Sequence, residues 1–122
     1  VTALHHARTA YAPTAAPIRT PRSTEYELFA RVTRRLQAAR TGPFAALAGA
    51  LHENRRLWTV LAGDVAGEGN ALPETLRAQI FYLAEFTRQH SDRVLAREAG
   101  PEPLIEINTA IMKGLRGGGE AP

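Results

Sequence analysis

Few residues of this chain could do chemistry. The histidines are His5, His6, His52 and His90. His52-Glu53 has the opening of a zinc-hydrolase helix motif, in which a histidine one turn further on completes the ligand pair and the glutamate is the base. Arg56 stands where that histidine is needed. His5-His6 could chelate a metal loosely, but no third ligand lies nearby. Glu53 and Asp64 would stand about 16 Å apart along one helix, too far to work as a paired acid and base. The glycine run between Gly114 and Gly119 opens no helix and carries no Lys-Ser, so it is no phosphate loop. With no cysteine, structural disulfides, thiolate zinc sites and a cysteine nucleophile are excluded. The expectation is a protein that is not an enzyme and needs no metal or cofactor.

The elements that position these residues read as helices. The chain has 122 residues, enough for one domain that buries roughly two thirds of its unfolded surface. No apolar run approaches the ~20 residues that cross a bilayer, and VTALHHARTA lacks the apolar core of a signal peptide. Cytoplasmic residence, with no membrane contact, is the expectation. The net charge is +3, and residues 1–40 carry seven arginines and two acids. Such a bias suits either a solvated surface or an anionic partner.

Three prolines in PTAAPIRTPR make residues 1–22 a loose N-terminal arm and linker. A first helix is predicted from Thr24, where Thr24 and Glu27 form a capping box. Its apolar stripe is Tyr26, Phe29, Val32 and Leu36, and Thr41-Gly42-Pro43 ends it. A second helix starts with Pro43 in its first turn. Its main face is Phe44, Leu47, Leu51, Trp58, Leu61 and Val65, with Leu57 and Val60 beside it and a polar break at Asn54-Arg55. After the stop at residues 67–70, Asn70 is the expected cap and Pro73 lies near the first helical position of a third helix. Leu76, Ile80, Leu83, Ala84, Thr87 and Val94 form its stripe. IFYLAEF, apolar nearly all round, is expected at the bundle centre with Phe81 and Phe86 as structural residues. TRQHSDRVLARE is expected at the surface, ending at Gly100-Pro101. A fourth helix runs from about Glu102 to Leu115. The fold is therefore all-α: a small bundle of four main helices over residues 23–116, with a flexible tail over 117–122.

Binding surfaces follow from these helices. Helix four has apolar residues on two sides, Leu104, Ile107 and Ile111 on one and Ile105 and Met112 on the other. One side packs on the bundle; the other is a candidate partner surface or a second buried face in a monomer or weak homodimer. Leu104, Ile107, Ile111 and Met112, with Arg55, are the candidate partner-binding residues. Trp58 reads as core, with an interface anchor as the alternative. Asn54 or Arg55 reads as bonding the loop onto helix three. Arg31, Arg34, Arg35 and Arg40 are the candidate face for an anionic partner.

One stretch, LHENRRLWTVLAGDVAGEGNALPETLR from Leu51 to Arg77, carries a resemblance. Tyr26-Glu27, Ala50-Leu51, Asn54-Arg55, Leu57-Trp58, Asp64, Asn70 with Leu72-Pro73, Leu76-Arg77 and Leu83-Ala84 with Phe86 stand in the order and spacing of the FlaF proteins of flagellated alphaproteobacteria. The chain resembles that family from about Tyr11 to Leu115. The resemblance implies a cytoplasmic regulator of flagellum assembly, a chaperone that binds flagellin before export by type III secretion. It also implies work beside FlbT, a regulator acting on flagellin messenger RNA. The alternative it leaves open is post-transcriptional control through FlbT or the messenger, with direct RNA contact the less favoured route.

Overall fold

A computed structural model of the protein describes residues 21–67 and 73–117. Among these residues four helices follow one another: α1, Pro21–Ala39; α2, Phe44–Ala66; α3, Glu74–Leu95; α4, Glu102–Gly117. They close into a ring in which α1 packs on α2 and α4, α2 packs on α3, and α3 meets α4 only briefly. The backbones of the diagonal pairs, α1 with α3 and α2 with α4, do not approach. The all-α bundle expected from the 3.6-residue periodicity is what the chain forms.

The helix boundaries show what the local chemistry decides. α1 begins at Pro21 rather than at Thr24, because proline is preorganised for a first helical turn. Thr24 and Glu27 are therefore inside the helix, and the helical domain takes in two residues assigned to the arm. The carbonyl of Pro43 accepts from the amides of Ala46 and Leu47 at 3.0 and 3.2 Å, and that of Pro73 from Arg77 at 3.0 Å. Both prolines sit just before their helices. α3 stops at Leu95, ahead of the expected Gly100-Pro101. The amide of Glu98 bonds the Arg93 carbonyl and that of Arg97 bonds Val94, a Schellman ending. Arg97 occupies its left-handed position, with φ 63°. Asn70, the expected cap, lies outside the described residues, as do the arm over 1–20 and the tail over 118–122.

The core has two parts. One gathers Phe29, Val32, Leu57, Trp58, Leu61, Val65 and Ile80; the other gathers Leu36, Ala39, Ala50, Leu51, Val94 and Leu104. Phe29 meets Trp58 edge to face, ring centres 5.8 Å apart, worth about 1 kcal/mol beyond the area buried. Buried polar residues separate the two parts along three helices, Thr33 on α1, Asn54 on α2 and Thr87, His90 and Ser91 on α3, and α4 buries Asn108.

α3 reverses the expected distribution. Phe81 and Tyr82 are 42% and 69% exposed, so Phe81 is no central core residue. Thr87 and Val94 are buried, as members of the expected stripe, and so are His90 and Ser91, in the half expected to be wet. His90 and Ser91 bond locally: Ser91 Oγ donates to the Thr87 carbonyl at 2.6 Å, and His90 Nε2 donates to the Gly100 carbonyl at 2.8 Å. Phe86 is half-buried, as a structural residue should be, and stacks on the His90 ring at 5.3 Å.

Candidate functional site

Trp58 is where the bundle's interior and its outer surface meet. It lies on the α2 stripe and is 1% exposed. Its indole N–H donates to Asn108 Oδ1 on α4 at 2.9 Å, and Asn108 Nδ2 donates to Asn54 Oδ1 at 2.8 Å. This bridge spans the diagonal of the bundle, where the two backbones never approach. Asn54 therefore holds α4, not the loop before α3 as its position in the sequence suggested. A polar break in an apolar stripe does satisfy buried groups, but its partner lies on a distant helix.

On the outer side, Trp58 helps form the floor of a groove of about 300 Å³ along the seam of α2 and α3. Thr59 and Ala62 on α2 and Ala84 on α3 are too small to fill the seam, and Phe81 stands at its edge. One end is closed by a belt of charge. Arg55 reaches Asp92 across the seam at 3.2 Å, Arg88 reaches Glu85 at 2.6 Å, and Arg88 lies 3.8 Å from Asp92. The Arg88 guanidinium, with help from the Gln89 amide, holds the Glu85 carboxyl below its ordinary range, and Glu85 raises Arg88 in turn. The groove is thus apolar along one stretch and internally neutralised at the other, a form suited to an amphipathic helix laid in the seam.

The structure redistributes the residues singled out from the sequence. Leu104 is fully buried and unavailable to a partner. Ile107, Ile111 and Met112 are half-buried against the Phe29–Trp58 part of the core, and Ile105 packs on the other part. Among the described side chains both apolar sides of α4 pack on the bundle, with Ile105, Ile107, Ile111 and Met112 only partly buried there. Arg55 does line the groove, as an ion-paired rim residue. On the arginine face, Arg31 and Arg34 are exposed, Arg35 is bound to Glu53 at 2.6 Å, and Arg40 lies past the last residue of α1. The groove itself escaped the sequence reading; its faint signal is the run of small residues Thr59, Ala62, Gly63 and Ala66 on one flank of α2. Among the described residues no three His, Cys, Asp or Glu side chains are grouped to hold a metal, and no helix is long and apolar enough to cross a membrane.

A four-helix bundle with an outer groove and no metal cluster among its described residues defines the class in structural terms. The family model for the flagellar protein FlaF matches residues 7–115, and the chain belongs to the FlaF family. It is a flagellum-related protein. No curated protein and no solved structure matches it.

Proposed function

We propose that this protein is a non-enzymatic chaperone of flagellin. It takes an amphipathic terminal helix of the unassembled subunit into the α2–α3 groove, keeps it from premature polymerisation and delivers it for export. The observation that carries this reading is the groove itself, lined by Trp58, Thr59, Ala62 and Ala84 with Phe81 exposed at its edge. Exposed large apolar residues at a seam mark interaction sites, and a helix in a groove is the mode that fits two parallel rims. On this reading the protein works in the cytoplasm, before flagellin is exported, and helix capture needs no cofactor.

Co-purification with the cognate flagellin, followed by size-exclusion chromatography with light scattering at low and high salt, tests the proposal. A complex that persists at high salt supports apolar capture. No complex with flagellin overturns it and returns weight to regulation through FlbT or the flagellin messenger. A contact with messenger phosphates would weaken steeply and linearly in log salt.

A further inference from the structure

Four buried side-chain atoms lack a hydrogen-bond partner among the described residues: Thr33 Oγ1, Asn54 Nδ2, Arg77 Nε and Thr87 Oγ1. Of these residues only Thr87 lines the groove. Thr87 is 1% exposed. A helical hydroxyl ordinarily escapes this state by bonding the carbonyl one turn back. Ser91 and Thr109 both do so, at 2.6 and 2.8 Å. Thr87 does not. A hydrogen-bonding group left unmet beneath an open groove is a cost in the free protein that an occupant can remove.

We propose that Thr87 is a specificity-determining residue of the groove and that the occupant is a helix carrying a neutral hydrogen-bonding side chain, a carboxamide or hydroxyl, at the point that enters over Ala62 and Ala84. This rests on the groove reading above and names the chemistry of its partner. The entering group is neutral because the charges at the groove's end already compensate one another: Arg55 with Asp92, and Arg88 with Glu85 and Asp92. A carboxylate or ammonium would have to break one of these pairs and be desolvated against Trp58 and Phe81. A neutral donor or acceptor meets no such opposition. Threonine has two accessible χ1 wells in a helix, so rotation about χ1 re-aims the hydroxyl with no backbone movement. A large apolar residue one turn away on the same helix packs beside Phe81.

The test compares the wild-type protein with Thr87→Val and Thr87→Ser, measuring thermal unfolding and the affinity for the cognate flagellin monomer. Thr87→Val removes a hydroxyl that has no partner, so its melting temperature holds or rises while flagellin affinity falls about tenfold. Thr87→Ser keeps the hydroxyl and binds within about threefold of wild type. Equal binding by wild type and Thr87→Val overturns the role of the hydroxyl and leaves the groove reading standing. A lowered melting temperature for Thr87→Val, with Thr87→Ser unaffected, overturns it too, because the hydroxyl then has an internal partner. Failure of the wild type to bind flagellin overturns the groove reading itself.

Discussion

Replacing Asn108 by alanine tests how α4 is held. The substitution strands two groups at once, the Trp58 indole N–H and Asn54 Oδ1, both in residues 1% exposed or less. Each buried polar group left unmet costs about 1–3 kcal/mol, and the vacated amide adds a small cavity. The expected loss is about 3–5 kcal/mol, a large share of the roughly 5–15 kcal/mol that holds a domain folded, and the melting temperature falls by more than about 10 °C. Asn54→Ala is the internal comparison. It strands only Asn108 Nδ2, and it deletes an Nδ2 that already lacks a partner, so it costs about 1–2 kcal/mol. Urea unfolding followed by circular dichroism and by the emission of Trp58, the single tryptophan of the chain, measures both. An Asn108→Ala loss below about 1 kcal/mol, or Asn54→Ala as costly as Asn108→Ala, would show that the amide bridge does not secure α4.

Other outcomes follow from single contacts. Gly49→Ala stabilises the protein by a few tenths to about 1 kcal/mol, seen in urea unfolding: a Cβ there meets only the mobile end of Arg35, 2.9 Å away, the helix gains alanine's propensity, and the exposed Arg35–Glu53 pair it disturbs is worth little. Arg97→Ala keeps the left-handed φ and loses the guanidinium stacked 4.3 Å over Phe44, so it costs about 0.5–1 kcal/mol, whereas Arg97→Gly comes out near neutral because glycine relieves the backbone. Carboxyl NMR titration will show Glu85 titrating below an ordinary glutamate. A depressed folded-state pKa means that the Arg88 pairing contributes fully above the unfolded value and is lost as pH falls through the lowered one.

The helices were legible because their stripes repeat at 3.6 residues and because Trp58 falls within one. What periodicity does not carry is pairing at a distance. Asn54 and Asn108 lie on different helices, and nothing near either names the other. IFYLAEF is apolar on every side, so its pattern selects no face, and Phe81 and Tyr82 emerge at the surface. His90 and Ser91 read as wet because their types are polar, yet their backbone bonds admit that turn to the interior. The end of α3 was hidden because an arginine, not a glycine, takes the left-handed turn. The groove was hardest to see, since it is made by side chains too small to announce themselves. Helix four misled in the opposite sense: its two apolar sides suggested a free surface, but α1 and the interior take up both.

The central claim is that flagellin is held in the α2–α3 groove by apolar contact. Calorimetric titration of cognate flagellin into the wild-type protein and into Phe81→Glu, each at low and high salt, tests it most directly. The account predicts wild-type affinity nearly independent of salt, and binding lost in Phe81→Glu while its melting temperature stays within a few degrees of wild type, because a side chain 42% exposed contributes little to the fold. Undiminished binding by Phe81→Glu, or a wild-type affinity that falls steeply with log salt, would contradict it.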